Sequence, residues 1–210
     1  MLPEKTIERL SQYRRLLTQL HHEGRDYIFS HDIALLLHLT SVQVRRDIML
    51  IGYTGSQRKG YIVVDMISKI GEILDAPKGL RAAVFGMGNL GKAITSYFNG
   101  TGHNISIVAA FDSDIQKNDR LISGIPCHGI QEIKSVILNQ KISLAILTLP
   151  PQFAQEITDN LVFAGIKGIL NFTSVPLRVS PDVFVENYDM LSSLEKIAYF
   201  VKEIHKDSIV

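Results

Sequence analysis

The sequence holds a single cysteine, Cys127, so this chain can build neither an internal disulfide nor a multi-cysteine metal site, and a reducing compartment is expected. It also has almost no net charge. The 22 Lys and Arg stand against 21 Asp and Glu, +1 overall, which excludes a global field drawing the protein to nucleic acid or acidic lipid. Any polyanion site must be local. No stretch approaches the roughly 18 apolar residues of a membrane span, and the opening MLPEKTIERL lacks the pattern of a secretion signal, so a soluble cytoplasmic protein is expected. Familiar catalytic signatures are missing as well. No Tyr is followed four residues later by Lys, the seven histidines show no HExxH spacing, and no GxSxG nucleophile turn occurs. Neither a catalytic residue nor a metal site is therefore expected. His103 and His128 read as loop or surface histidines, and Cys127, with nothing cationic beside it, as an inert packed thiol.

What is present suffices for a core: 46% of the 210 residues are apolar and 20% charged, a length that suits one large domain or two modest ones. Positive charge gathers near the N-terminus, where the window 42–60 sets Arg45, Arg46, Arg58 and Lys59 against Asp47 alone. Ile7, Leu10, Tyr13, Leu17 and Leu20 recur at helical spacing between Glu4 and His22, and Gly24 follows as a C-cap. Ser30 and Ser41 are placed to cap two further short helices, HDIALLLHL and VQVRRDIMLI, the latter ended by Gly52. Joined by a short turn, they read as a helix-turn-helix. YTGSQRKGYIVV then reads as a hairpin or wing, and DMISKIGEIL as a helix leading to a boundary at residues 76–79. On the third helix, Val44, Ile48 and Ile51 define a buried face. Gln43, Arg45 and Arg46 point away from it near the helix start, where a recognition helix meets base edges and phosphates. Arg58 and Lys59 in the wing would add backbone contacts. An ordinary charged helix and loop would share this local pattern, and what favours DNA is the domain that follows.

Beyond Gly79 continuous apolar runs (LRAAVF, ISIVAAF, SLAILTLP, GILNF) alternate with helices, which predicts a parallel sheet covered on both faces, an α/β domain of nucleotide-binding type. Gly86-Met87-Gly88-Asn89-Leu90-Gly91 follows the first of these runs and opens a helix. Gly86 permits the sharp turn, Gly88 clears space for a pyrophosphate, Gly91 lets helix and strand approach, and the helix N-terminus faces the phosphate. Asp112, 21 residues past Gly91 at the end of ISIVAAFD, is placed to accept hydrogen bonds from both ribose hydroxyls of NAD, and its charge argues against NADP. Asp114 is the alternative acid. The final helix, about Met190 to His205, carries apolar residues over half its circumference and is expected to pack against more than one body.

VRRDIMLIGYTG and GYIV in the front domain, GMGNLGKAI, AAFD and AILTLPPQFAQ behind it, and AGIKGILNF followed by VENYDML together resemble the Rex family of redox-sensing transcriptional repressors over essentially the full length. The resemblance implies an N-terminal winged helix-turn-helix domain (1–79), a Rossmann-type NAD(H)-binding domain (80–189) and a C-terminal helix exchanged between subunits of a homodimer (190–210). It implies a non-enzymatic repressor that binds palindromic operator DNA when NADH is scarce and releases it when NADH binds, with NADH and NAD as its cofactors. Thr148, Pro150, Tyr97 and Met190 are then added to the cofactor site. Arg15, Tyr97 and Asp189 of the partner subunit are implied to form a network coupling nucleotide state to the DNA-binding domains. The sequence departs from the family at Arg46, where a lysine is usual, in the wing, at Thr173-Ser174, where Ala-Pro is usual, and at Met190. Two other readings of the residues remain: an NAD-dependent oxidoreductase with an N-terminal dimerisation domain, and a nucleotide or acyl-CoA binding module.

Overall fold

The apolar pattern changes from helical to strand-like near residue 78. In the computed structural model, which describes residues 1–56, 58–98 and 104–207, the chain divides there into two units, Met1–Pro77 and Lys78–Val210. His103 lies outside the described residues.

The first unit is built from α1 (Glu4–His22), β1 (Tyr27–Ile28), α2 (Ser30–Leu36), α3 (Ser41–Leu50), β2 (Tyr61–Ile62) and α4 (Val63–Leu74). Leu10, Tyr13 and Leu17 of α1 are fully buried against Ile33, Val44, Ile48, Met66 and Ile70 of the other helices. Ile7, expected on that face, is exposed, and Thr6 is buried in its place. The reason is polar. Asp47 of α3, only 1% exposed, accepts two hydrogen bonds from the Arg9 guanidinium at 2.6 and 2.8 Å and one from the Tyr13 hydroxyl at 2.8 Å, and Thr6 completes the cluster. Periodicity that counts only apolar residues cannot see this anchor between α1 and α3. Burial alone would raise the Asp47 carboxyl, but hydrogen bonds from Arg9 and Tyr13 and the guanidinium charge outweigh it and hold the group below the usual carboxylate range.

Both expected serine caps fall one residue late. α2 is preceded by Phe29, whose N–H donates to the Asp32 carboxylate at 3.1 Å, and α3 by Thr40, whose hydroxyl accepts from the Gln43 N–H at 3.2 Å. The expected wing is also shorter than its sequence suggested. Ser56 and Gly60 close a tight turn, and Tyr61–Ile62 pairs antiparallel with Tyr27–Ile28 rather than with a second strand of its own segment. Gly60 has φ +74°, and a Cβ there would meet the Ile28 carbonyl oxygen at 2.4 Å. Val63 and Val64 belong to α4, not to a strand.

In the second unit the four expected strands appear as β3 (Leu80–Phe85), β4 (Ile105–Asp112), β7 (Leu144–Leu147) and β8 (Gly168–Asn171). Three more, β5 (Arg120–Ile122), β6 (Ile125–Gly129) and β9 (Phe184–Asn187), were not anticipated, being short or polar. The described residues form a sheet in the order β5-β6-β4-β3-β7-β8-β9, parallel except for the β5/β6 hairpin. Along β3, Ala83 and Phe85 face a core shared with α6 (Ile133–Gln140) and α7 (Ala154–Phe163), while Ala82 and Val84 face another with Met87 and Ile94 of the glycine-rich turn and α5 (Asn89–Phe98). Both faces are dry, which explains the continuous apolar runs. The unit ends with α8 (Met190–Asp207), whose Leu191, Leu194, Ile197, Phe200, Val201 and Ile204 are all exposed.

Candidate functional site

The carboxyl ends of β3, β4 and β7 meet where strand order reverses, the place at which open α/β sheets bind ligands. A cavity of about 670 Å³ opens there, lined by Gly86 and Gly88, by Asp112, Ser113 and Lys117 after β4, and by Thr148, Leu149, Pro150 and Phe153 after β7. Ile130, Glu156 and Ile157 close its far side.

The glycines differ in the room around them. Gly86 sits at φ +96°, and a Cβ on it would lie 2.8 Å from the Thr148 carbonyl oxygen. A Cβ on Gly91 would come within 2.0 Å of the Gly86 carbonyl oxygen, so helix and turn pack at a distance only hydrogen allows. A Cβ on Gly88 would meet nothing within 4 Å, so the backbone there is open to the approach of another group. Asn89, Leu90 and Gly91 start α5, and an α-helix leaves such N–H groups without internal partners. Thr148 closes the turn, its hydroxyl donating to the Gly86 carbonyl at 2.7 Å.

Met87 departs from the expected cofactor role. Its side chain is fully buried in the core and its N–H donates to the Asp112 carboxylate at 2.7 Å, so neither faces the cavity. Asp112 is equally committed: it also accepts from the Asp114 N–H at 2.9 Å and the Lys117 ammonium at 2.9 Å. A carboxylate offers about four lone-pair positions. With three taken, two ribose hydroxyls fit only if Lys117 moves away. Burial would raise the Asp112 carboxyl, but hydrogen bonds from Lys117, Asp114 and Met87 prevail and lower it. A phosphate on the ribose would therefore meet an ion pair and not a lone negative charge, which weakens the argument from like charge against NADP. Asp114 is a turn acid, capping the 3₁₀ turn Ile115–Lys117 through the Gln116 N–H. Lys117, Ser113, Phe153 and Glu156 were missed because they sit in the loops and turns that follow the strand-end motifs, where residue spacing alone does not show which side chains turn toward the cavity. Cys127 is buried on β6 with its thiol pushed up by that burial, and the next residue, His128, lies against the Phe111 ring of the paired strand β4.

Tyr97 and Met190, expected at the cofactor, are not among the residues lining the cavity. Both are exposed, Tyr97 at 71% and Met190 at 52%. Asp189 caps α8, accepting from the N–H groups of Leu191 and Ser192 and from the Ser192 hydroxyl, and these hydrogen bonds lower its pKa. Arg15 is exposed on α1 beside Ser11. One chain by itself thus leaves Arg15, Tyr97 and Met190 exposed, with Asp189 half-buried. Ser174 has φ +59°, a value closed to proline, so the Thr173-Ser174 turn is held differently from an Ala-Pro turn, with the Thr173 hydroxyl donating to Asn171.

On α3 the buried face is Val44, Asp47 and Ile48, with Ile51 just beyond it. Arg45 and Arg46 are exposed on the opposite side and Gln43 is half-buried at the helix start. Arg58 and Lys59 lie in the wing turn, their N–H groups held by the Ser56 hydroxyl. The Lys59 ammonium stands over the Tyr27 ring at 5.4 Å. Among the described residues no helix is long and apolar enough to cross a membrane, and no group of three or more His, Cys, Asp or Glu is placed to hold a metal.

A family model described as a CoA binding domain matches residues 78–175, and one described as the N-terminus of a putative DNA-binding protein matches residues 1–48. The chain is 36% identical over 200 residues to the redox-sensing transcriptional repressor Rex of Lactobacillus acidophilus, covering 95% of both chains. It is 38% identical to that of Leuconostoc citreum, covering 95% of this chain and 93% of the relative. Among solved structures it resembles RSP in complex with β-NAD+ and operator DNA, with TM-score 0.91 and 29% identity over 99% of this chain and 96% of that one. RSP in complex with β-NADH gives a TM-score of 0.87 at 28% identity, covering 99% and 98%.

Proposed function

This chain belongs to the Rex family of redox-sensing transcriptional repressors, and we propose that it works as a homodimer that holds palindromic operator DNA when NADH is scarce and lets go when NADH binds. It is a regulator and not an enzyme. The observation that carries the reading is the pairing, in one chain, of open space over Gly88 at a helix N-terminus with a helix that turns Arg45 and Arg46 to solvent. A protein acting on the chromosome belongs in the cytoplasm.

Gly86, Gly88, Gly91, the first N–H groups of α5 and Asp112 would hold the adenosine diphosphate half. That half is the same in NAD+ and NADH, so these residues bind both and report neither. A ligand shifts an equilibrium only through its differential affinity for the two states. The nicotinamide ring is cationic when oxidised and neutral when reduced, so discrimination falls to residues that meet it. Tyr97 and Met190 are exposed in the single chain, as residues completed by a partner subunit would be, and Asp189 stands half-buried beside Met190 at the start of α8. The exposed apolar arc of α8 gives that partner its seat. Arg15, Tyr97 and the partner's acid would then couple the ring to the spacing of two recognition helices, which must match major grooves about 34–36 Å apart.

A mobility shift on an inverted-repeat operator, with NAD+, NADH or CoA at equal concentration, tests the reading. NADH should release the duplex while NAD+ and CoA leave it bound. Equal behaviour with NAD+ and NADH would refute redox sensing, and release by CoA alone would move the function to the acyl-carrier ligand named by the family model that matches the second unit.

A further inference from the structure

The outward face of α3 is not a plain charged surface. Val42 is 66% exposed, Met49 71% and Leu50 50%, and with Arg45 and Arg46 they form a shallow concavity of about 460 Å³. The core of this unit closes without these apolar side chains, because Val44, Ile48 and Ile51 already supply the buried face of α3. Val42, Arg46 and Met49 follow one another at i, i+4 and i+7, so they run along a single line of the helix. At 1.5 Å rise per residue, Val42 and Met49 stand about 10 Å apart along it, close to three base-pair steps of 3.4 Å.

We propose that Val42 and Met49 read thymine methyl groups in the operator, about three base pairs apart and on either side of the base or phosphate held by Arg46. The inference rests on the operator-binding reading above and adds specificity residues to it. Two exposed arginines between the apolar side chains suit an occupant that is itself a polyanion. The major groove of duplex DNA is such a surface and carries an apolar group, the C5-methyl of thymine.

The test uses the full-length protein and an operator selected from a randomised duplex library. Each thymine of a half-site is replaced in turn by deoxyuridine, which removes only the methyl. Two positions about three base pairs apart should each lose about three- to fivefold in affinity, the effect of one buried methyl. Val42→Ala should abolish the loss at one of them and Met49→Ala at the other. If the selected operator binds specifically yet no thymine responds to deoxyuridine, or if both variants weaken the two duplexes equally, the inference is wrong while the operator reading stands. If the library yields no enriched sequence, the operator reading itself falls and this inference with it.

Discussion

Among the described residues each unit buries one aspartate, and the two sit in opposite settings. Asp47 in the N-terminal unit is surrounded by Arg9, Tyr13 and Thr6 in a network that lines none of the cavities described above, and its work is to lock α3 onto α1. Asp112 in the C-terminal unit is nearly as buried, at 9% exposed, and takes three donors as well, but it borders the cavity and one of those donors is the ammonium of Lys117, which lines the cavity too. The same side chain with a comparable number of partners is a structural anchor where the network is closed, and would become a binding group where one partner could be exchanged for a ligand. Whether a buried charge serves stability or recognition depends on what its last partner is.

That contrast can be broken at the glycine turn. Gly91→Val places a Cβ where the Gly86 carbonyl oxygen already stands. It should cost about 3 kcal/mol in the second unit and abolish NADH binding in a fluorescence titration, while salt-dependent, non-specific DNA binding persists. Asp47→Ala is its counterpart. Removing one partner of a buried ionic cluster should cost about 3 kcal/mol, seen as earlier thermal unfolding with loss of DNA binding and retention of NADH binding. Asp47 also sets a pH dependence. Its folded pKa lies below the unfolded value of about 3.9, so its contribution is complete above roughly pH 4 and is lost as pH falls through the folded value. Asp47→Asn should flatten the acid limb of unfolding there, and an unchanged limb would remove Asp47 from the account.

Smaller effects sharpen the comparison. Arg46→Ala should lower affinity for the selected operator about 10- to 100-fold with little effect on random duplex, whereas Lys59→Ala should weaken both alike and reduce the salt slope by about one. Lys117→Met leaves Asp112 without its cation, so the preference for NADH over NADPH should widen about fivefold. If selectivity is unmoved, the exchangeable partner of Asp112 is not Lys117.

Much of both units was legible from residues whose effect is local. The glycine spacing of residues 86–91 reads directly because backbone clearance depends on a missing side chain, and Gly86 and Gly91 behave as their positions require. The span of α1 from Glu4 to His22 follows from the three-and-four spacing of its apolar residues. Ile7 and Thr6 show where that reasoning stops, since the polar anchor at Asp47 draws a threonine inward from 41 residues away in sequence. The short strands β5, β6 and β9 were illegible for a related reason: Arg120–Ile122 and Phe184–Asn187 are strands because a neighbouring strand offers them hydrogen bonds, not because of their own composition.

The sequence by itself determined that there are two units, where the chain passes from one to the other, and which turn has the backbone clearance of its glycines, because these depend on the order of apolar residues and glycines along the backbone. Only the tertiary structure decided what Asp112 has left to offer, that Met87 belongs to the core, and that Tyr97, Met190 and the arc of α8 are turned outward. Those outcomes depend on which distant side chain reaches a given atom first, a matter of distance in space that spacing along the chain does not encode.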